Sequence, residues 1–438
     1  MVAFNRAIYH FTCQVLSHPL PLRLFFAVLR RIRPIAIIGG NVIVTKHQDV
    51  MDVLQRSEDF TLAEYTRPKM LGGSFLLSID GPQQHTRERE LLWSVVRPSY
   101  DIPWIRSLAE KECQNTIRGA CNSNSGKGEI DVAAELTDRV ALKIVTTYFG
   151  VQTMPQGPRQ MSTILRRLAS VILLEPSQGT REWTEARESI VDLTGHLSGL
   201  IRHKILACTG FPTPVRKNDD LLTRLVKRKH SGADPHPWFT EDWIRRYLTG
   251  LATFGNATIS QTVCHALDQL LARPYALRRA QRAAANLTAC QAGADNAQTL
   301  LMRNRMLQLI YEALRFRPML PLLERFSQRE TVLAKDTNRQ RRIPAGARVI
   351  AGPLAAMFDP EVFDRPWHFN YARPIEDYVH FGYGPHGCFG KYVADAQIIE
   401  IMRNILLLKD ITRAPGRQGW VQYEGPAVKS LHICFTSR

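Results

Sequence analysis

The spacing of apolar residues predicts a mainly helical chain. Apolar side chains recur every three or four residues, the period of a helix with one buried face, through five long segments. These segments are residues 107–121, 131–150, 182–207, 240–272 and 299–316. Polar, glycine-rich stretches such as NSNSGKG and KHSGADPHP separate them and predict loops. No loop is long enough to require a domain boundary, so we expect a single domain over residues 1–438.

Short strands are predicted near both ends of the chain. The sequence PIAIIGGNVIVT, residues 34–45, places β-forming residues on both sides of two glycines, a pattern typical of a β-hairpin. After Pro318 the sequences RETVLAKD and IPAGARVIAG predict further strands and turns, and a last helix is predicted from about Phe389. The expected fold class is therefore mainly α with small β-sheets.

Composition and charge exclude several classes of protein. The chain has 57 basic and 40 acidic residues, which gives a formal net charge of +17. The basic residues are scattered and accompany no recognition motif or aromatic stacking array, so we expect no nucleic-acid binding. Such a surface suits an acidic protein partner or an anionic substrate. The eight cysteines include no CxxC motif, which argues against a disulfide framework or a zinc ribbon.

Apolar runs along the chain are too short for a membrane-spanning helix, which needs roughly 18 residues. The N-terminal sequence MVAFNRAIYHF also lacks a charged leader before an apolar block, so we expect a soluble, cytoplasmic protein. The amphipathic segment LRLFFAVLRRIRP, residues 22–34, leaves contact with a membrane surface open.

The stretch HFGYGPHGCFGK, residues 380–391, places Cys388 between a loop rich in glycine and proline and a helical pattern. A cysteine at a helix N-terminus lies near backbone N–H groups and the positive end of the helix dipole, which stabilise a thiolate. Glycines in the loop let the main chain pass close to a bulky flat group. Such a thiolate acts as a nucleophile, a redox thiol or a metal ligand, and the local pattern leaves all three open.

This loop resembles the heme-binding signature of the cytochrome P450 family, FGxGxHxCxG. Six residues occupy its specified positions: Phe381, Gly382, Gly384, His386, Cys388 and Gly390. The resemblance implies that Cys388 is the thiolate ligand of the iron in heme b, where it favours cleavage of a bound O–O bond. It also implies that Phe381 packs near the sulfur and that His386 reaches a heme propionate. Gly382 and Gly390 would allow the main chain to approach the heme.

Two motifs before this loop extend the resemblance. YEALRFRP carries Glu312 and Arg315, the ExxR of the family, and RPWHFNYARP fits the family's PxxFxxxR pattern through Arg373. The resemblance implies that these three residues form a buried charge triad that braces the cysteine loop. We expect the triad to serve structure and heme retention.

Three basic residues are candidates for binding the heme propionates. DGPQQHTRERELL is similar to the family's DPPxHxxxR stretch and places His85 and Arg89 one helical turn apart. Arg325, in PLLERF, stands where the family has a third contact. Guanidinium and imidazole groups suit this role because they donate hydrogen bonds to carboxylates.

The long helix predicted at 240–272 should cross the distal face of the heme. The family has (A/G)Gx(D/E)T there, and its threonine and acid help to deliver protons during oxygen activation. Two registers are possible, ending on Thr253 or on Thr258, and the distance to the proline that ends the helix favours Thr258. Thr258 and Asn256 are then the candidate catalytic residues.

This segment, FGNAT, departs from the family pattern at two positions. Ala257 stands in place of the acid, and no carboxylate occurs between Asp242 and Asp268. Phe254 replaces the small residue expected beside the iron, which would narrow the distal pocket. The GNAT sequence is similar to the distal helix of the family's fungal nitric oxide reductases.

The resemblance implies a helix-rich triangular prism around one heme, and we expect a monomer. Three functions remain open.

 The first is a monooxygenase that uses dioxygen and two electrons from a ferredoxin or flavodoxin. The second is a heme-thiolate enzyme that needs no redox partner, either a hydroperoxide isomerase or dehydratase or a nitric oxide reductase. The third is a heme protein without catalysis.

The substrate is expected to be a small organic molecule, medium-sized, largely apolar and typical of secondary metabolism. This expectation rests on the segments that would line the pocket in such a fold, which are mainly apolar. They are residues 60–78, the helices and loops between about 155 and 240, the distal helix and residues 318–326.

Overall fold

The computed structural model describes eight segments of the chain, and the structural statements below concern these residues. The segments are residues 19–62, 73–122, 125–174, 181–209, 219–230, 236–291, 296–424 and 427–436. Residues 1–18, and residues 63–72 of the expected pocket-lining segment, lie outside them. Among the described segments, none of the helices combines the length and the apolarity that a membrane crossing requires.

Helices form most of the described structure, as the apolar spacing predicts. The thirteen described α-helices are α1 Pro19–Ile32, α2 His47–Gln55, α3 Pro82–Val95, α4 Pro98–Ala120, α5 Asp138–Thr147, α6 Pro158–Leu174, α7 Arg181–Thr209, α8 Leu221–His230, α9 Glu241–Leu271, α10 Pro274–Gln291, α11 Ala297–Phe316, α12 Pro353–Ala356 and α13 Lys391–Leu406. The predicted fold class, mainly α, is confirmed.

The strands are short and form small sheets. The twelve described strands are β1 Ile35–Ile38, β2 Asn41–Val44, β3 Phe60–Thr61, β4 Lys127–Asp131, β5 Leu323–Ser327, β6 Thr331–Leu333, β7 Arg341–Ile343, β8 Arg348–Ala351, β9 Lys409–Arg413, β10 Gln422–Glu424, β11 Ala427–Ser430 and β12 His432–Thr436. The largest sheet has the strand order β1-β2-β8-β5-β3, in which β2 and β8 pair in parallel and the other neighbours are antiparallel. A second sheet has the order β4-β12-β9, and β6-β7 and β10-β11 form two-stranded sheets.

Helix α9 connects the two main apolar cores of the molecule. Thr240 caps its N-terminus, where the side-chain oxygen accepts a hydrogen bond from the backbone N–H of Trp243 at 3.1 Å. The first half of α9 packs into one cluster of buried apolar side chains, and the half after Ile259 packs into the other. The FGNAT segment therefore lies at the junction of the two cores.

Several predicted elements are confirmed, but some begin elsewhere: α4 starts at Pro98, nine residues before the predicted segment 107–121. The hairpin at 34–45 forms from β1 and β2, and the long helix predicted at 240–272 is α9. The helix predicted at 131–150 starts later, because Asp131 pairs with β12 as the last residue of β4. The Asp131 carboxylate then accepts hydrogen bonds from the backbone N–H groups of a π-helical turn, Val132–Thr137, which precedes α5.

Candidate active site

The cysteine loop is held closed by its own backbone just before α13. The N–H of Cys388 donates to the carbonyl of Phe381 at 2.8 Å, and the N–H of Gly387 donates to the carbonyl of Gly384 at 2.9 Å. Gly382 and Gly384 have φ values of 71° and 69°, in the left-handed region that favours glycine. A Cβ on Gly384 would also lie 2.7 Å from the carbonyl oxygen of Leu54, so glycine is required there by space as well as by φ.

The Cys388 side chain is accessible and is surrounded by protein. It is exposed by its accessible surface, yet its surroundings raise the pKa of its thiol because they remove it from bulk water. The sulfur is therefore open to a ligand, while the protein around it removes much of its contact with bulk water. The backbone N–H of Gly390 and the Arg89 guanidinium act in the opposite direction on the pKa, because both stabilise a thiolate.

Four predicted propionate-binding residues lie close together beside the loop. The rings of His85 and His386 meet edge to face, with centroids 4.5 Å apart. Burial, together with the charges of Arg325 and His85, lowers the pKa of His386 to about 3. Burial and the nearby Arg89 charge also lower the pKa of His85. These side chains therefore form one cluster of imidazole and guanidinium groups.

This cluster fits the group that the sequence resemblance implies. His85 Nε2 and His386 Nδ1 are buried and have no hydrogen-bond partner among the described residues. Buried polar atoms of this kind need a partner, and a ligand with carboxylates would provide acceptors for them and for the guanidinium groups. The two propionates of heme b meet that description, and the Cys388 sulfur would bind its iron. The residues present therefore fit heme b.

The Glu312, Arg315 and Arg373 side chains meet in the core, as the resemblance implies. Arg315 donates two hydrogen bonds to the Glu312 carboxylate, each 2.8 Å long, and both side chains are fully buried. Arg373 Nε lies 3.6 Å from the same carboxylate, too far for a hydrogen bond but close enough for an ion pair.

The triad is tied to the segment that leads into the cysteine loop. The Tyr378 hydroxyl donates to Glu312 at 2.8 Å, and so does the backbone N–H of Asn370. Arg315 donates to the carbonyls of Met357 and Pro366 at 3.0 and 2.7 Å. The buried charges thus fix the course of the chain ahead of Cys388.

On α9 the two candidate threonines have different surroundings. Thr258 lines a cavity together with Ala257, and its hydroxyl donates to the carbonyl of Phe254 at 2.8 Å. Thr253 is fully buried, and its hydroxyl has no partner among the described residues. The Phe254 ring stacks on Phe75 with centroids 6.3 Å apart. Of the two threonines, Thr258 therefore lines this cavity.

Asn256 points to polar residues of other helices that the sequence did not single out. Its side chain is fully buried, and Ser162 Oγ of α6 lies 3.4 Å from its Oδ1. Ser162 also donates to the Asp138 carboxylate of α5 at 3.2 Å, and Arg166 Nη1 lies 3.0 Å from the same oxygen. Burial raises the pKa of Asp138 to about 6, although Arg166 and Ser162 both lower it. A carboxylate thus lies one side chain away from Asn256.

The cavity beside Thr258 brings distant parts of the chain together. Gln261 of α9, residues 319–321 after α11, and Tyr423 and Ala427 of the β10-β11 hairpin all line it. Helix α6 contributes Arg166 and residues 169, 170 and 173. The sequence predicted the contributions of α6, α9 and residues 318–326. It missed the hairpin, whose short strands give a weak signal.

Comparisons with known proteins agree with this geometry. A family model described as Cytochrome P450 matches residues 40–431. A bifunctional dioxygenase and epoxy alcohol synthase of Fusarium oxysporum is 25% identical over 368 residues, which cover 80% of this chain and 27% of that protein. This chain thus spans about a quarter of the length of the Fusarium protein. The putative cytochrome P450 YjiB of Bacillus subtilis is 22% identical over 401 residues, or 91% of this chain and 88% of that protein.

Solved structures share the fold over nearly the whole chain. CalO2 has a TM-score of 0.74 at 20% identity, and the match covers 97% of both chains. P450BioI, solved with a hexadec-9Z-enoic acid ligated acyl carrier protein, has a TM-score of 0.71 at 18% identity and covers 97% of this chain and 99% of that chain. At these identities the structures establish the fold, and the family model establishes the family. The chain belongs to the cytochrome P450 family, whose members are oxidoreductases that bind heme b.

Proposed function

We propose that this protein is a heme-thiolate monooxygenase with Cys388 as the ligand of the heme iron. The observation that carries the proposal is the accessible Cys388 side chain, which lies near Arg89 in a cluster of two histidines and two arginines. A thiolate ligand and carboxylate-binding donors on one wall are what heme b requires. Heme b, when bound, would supply the chemistry of oxygen activation.

The residues of this chain have three separate tasks in the proposal. The first is to hold the cofactor, which we assign to Cys388 and to the propionate donors His85, Arg89, Arg325 and His386. The second is to fix the cysteine loop, which we assign to the buried triad of Glu312, Arg315 and Arg373. The third is to orient the substrate and pass protons on the distal side.

Proton transfer on the distal side is proposed to involve Thr258 and Asn256. The Thr258 hydroxyl donates to the Phe254 carbonyl, and its oxygen can at the same time accept a hydrogen bond from a water molecule in the cavity that it lines. Ala257 supplies no acid, so a carboxylate must act from elsewhere. Asp138 reaches Asn256 through Ser162, over contacts of 3.2 and 3.4 Å, and is the carboxylate that supports this route.

The proposed substrate is a medium-sized, largely apolar molecule, as in secondary metabolism. The apolar lining by residues 319–321 and by Ala169 and Leu173 of α6 supports this class. Some relatives are named for apolar molecules, among them the linoleate diol synthase of Gaeumannomyces graminis and an epothilone D-bound P450epoK. Electrons would come from an acidic ferredoxin or flavodoxin in the cytoplasm, a partner that the net charge of +17 suits.

A second candidate function is the rearrangement of a hydroperoxide without a redox partner. Two observations favour it: Ala257 in place of the acid, and the similarity to proteins named as epoxy alcohol synthases of Fusarium oxysporum and Pyricularia oryzae. Such a reaction takes its oxygen from the substrate, so it needs no acid for oxygen activation.

Turnover assays separate the two functions. The holoenzyme is incubated with dioxygen, a ferredoxin system and a panel of apolar substrates, and separately with fatty-acid hydroperoxides and no electron donor. Product formation that requires both dioxygen and ferredoxin supports the monooxygenase. Consumption of hydroperoxide without the donor, and no ferredoxin-dependent product, supports the second candidate and contradicts the first.

A pair of variants of α9 tests the assignment of the distal threonine. Thr258→Ala should lower ferredoxin-dependent product formation on the order of 10-fold or more, because it removes a proton-transfer group. Thr253→Ala is the matched control, since its hydroxyl makes no hydrogen bond among the described residues. A loss in Thr253→Ala with normal turnover in Thr258→Ala would show that the other register is correct.

A further inference from the structure

One charged side chain lines the otherwise uncharged cavity beside Thr258. Of the described lining residues, only Arg166 carries a full charge at neutral pH. It lies on the same face of α6 as Ala169, Ser170 and Leu173, which also line the cavity. An arginine in such surroundings loses hydration, so its position requires an anionic partner.

Asp138, the first residue of α5, provides that anionic partner. Arg166 Nη1 lies 3.0 Å from Asp138 Oδ2, and the side chains are 27% and 7% exposed. Ser162, one turn earlier on α6, donates to the same carboxylate at 3.2 Å. The buried acid therefore fixes the direction of the guanidinium.

The ion pair leaves most of the guanidinium available to a ligand. Its five N–H groups form a planar fork, and the contact with Asp138 involves Nη1. Among the described residues this is the ion pair that Arg166 makes, and Arg166 also lines the cavity. A planar fork of this kind binds a second carboxylate with two parallel hydrogen bonds.

The neighbouring arginine shows that this placement is specific. Arg167 turns to α7, where Nη2 lies 3.0 Å from the Glu185 carboxylate and Nη1 donates to Ser189 at 3.1 Å. It does not line the cavity. Of these two adjacent arginines, Arg166 therefore lines the cavity and Arg167 does not.

We propose that Arg166 binds a carboxylate of the substrate, so that this protein acts on largely apolar carboxylic acids. The carboxylate lies against α6, and the apolar part of the molecule extends along residues 319–321 and α9. The inference rests on the proposed function, because it assumes that this cavity is the substrate site. Asp138 is then a positioning residue that holds the Arg166 guanidinium toward the acid.

Binding of two probes of equal length tests the proposal. Dodecanoic acid and 1-dodecanol are titrated into the holoenzyme at neutral pH, and dissociation constants are measured by calorimetry and by the shift of the heme absorption band. Wild type should bind the acid on the order of 10- to 100-fold more tightly than the alcohol, since a charged hydrogen-bonded pair contributes that much. Equal affinity for the two probes, or binding of neither, contradicts the proposal.

Variants assign the preference to one side chain. Arg166→Gln should lose the preference for the acid and keep its affinity for the alcohol, whereas Arg167→Gln should behave as wild type. Because Arg166→Gln leaves Asp138 buried without its cation, the double variant Arg166→Gln with Asp138→Asn is measured as well. Acid preference that persists in both Arg166 variants would overturn the assignment.

A failure of the inference about Arg166 can be told apart from a failure of the proposed function. If the ferredoxin-dependent turnover is present but the acid preference is absent, only the inference about Arg166 is wrong. If the acid preference is present but the only turnover is of hydroperoxides, the substrate class stands and the monooxygenase proposal is wrong.

Discussion

Glu312 is the residue whose loss should destabilise the molecule most directly. It is fully buried and accepts two hydrogen bonds from the equally buried Arg315. Glu312→Gln would leave that guanidinium without a charge partner, which typically destabilises a protein by about 3 to 5 kcal/mol. We expect a lower thermal midpoint and a lower heme content on purification.

The control for this prediction is an exposed glutamate that also has an arginine partner. Glu330 lies 3.8 Å from Arg342, and both side chains are mostly in solvent. Exposed pairs contribute little, so Glu330→Gln should leave the thermal midpoint and the heme content unchanged. Equal effects of the two substitutions would contradict a bracing role for the triad.

Asp138 should make the stability of the protein depend on pH. Its folded-state pKa is raised to about 6, above the ordinary value of 3.8, chiefly by burial. Between these values the folded protein holds a proton that the unfolded chain has lost, so the free energy of unfolding falls as the pH rises. The size of this effect is on the order of 3 kcal/mol.

Asp138→Asn removes the titrating group and with it this part of the pH dependence. Relative to wild type, the variant should therefore gain thermal stability as the pH is raised from 4 to 7. The difference between the thermal midpoints of the two proteins, measured at each pH, checks the sign. A difference that stays constant, or that moves the other way, would show that Asp138 ionises normally in the folded protein.

The sequence predicted those site residues that belong to short local motifs. Cys388, His386 and Phe381 lie within one loop, and Glu312 and Arg315 lie one turn apart on one helix, so their spacing carries the signal. Asp138 and Arg166 could not be recognised in this way. They meet only because α5 and α6 pack near each other, and neither residue belongs to a motif.

Gly384 packs the cysteine loop closely against helix α2, and replacing this glycine tests that contact. It has φ of 69°, and a Cβ there would lie 2.7 Å from the Leu54 carbonyl oxygen and 2.9 Å from Gln55 Cα. Gly384→Ala should therefore displace the loop and lower heme content several-fold. Gly346→Ala is the matched control, because its φ is 72° but a Cβ would contact nothing. It should destabilise by only about 1 to 2 kcal/mol and leave heme content normal; similar heme contents in both variants would contradict the close packing of this loop.

At the scale of elements, the sequence predicted long helices well and sheet partners poorly. The bounds of α9 lie within one residue of the prediction, because a long periodic pattern and a capping Thr240 mark them. The three-stranded sheet joins β4 to β9 and β12, which come from the far end of the chain. Such pairing depends on contacts across the fold that no local pattern encodes. The start of α5 was misplaced for the same reason.

The net charge of the whole molecule predicts that its association with an electron donor depends on salt. With a formal net charge of +17, association with an acidic ferredoxin should be steered by charge and screened by salt. Ferredoxin-dependent turnover at limiting donor should therefore fall several-fold when NaCl is raised from about 50 to about 300 mM. Binding of an uncharged probe such as 1-dodecanol, measured in parallel, should change little. Turnover that is insensitive to salt would argue against a basic docking surface.

The central claim for the whole molecule is that Cys388 holds a heme by its sulfur. The most direct measurement is the absorption spectrum of the reduced holoenzyme under carbon monoxide. Wild type should show the red-shifted band of a thiolate-ligated carbonyl heme, Cys434→Ser should keep it, and Cys388→Ala should lack it. An unshifted band in freshly purified wild type, or a shifted band in Cys388→Ala, would contradict the account.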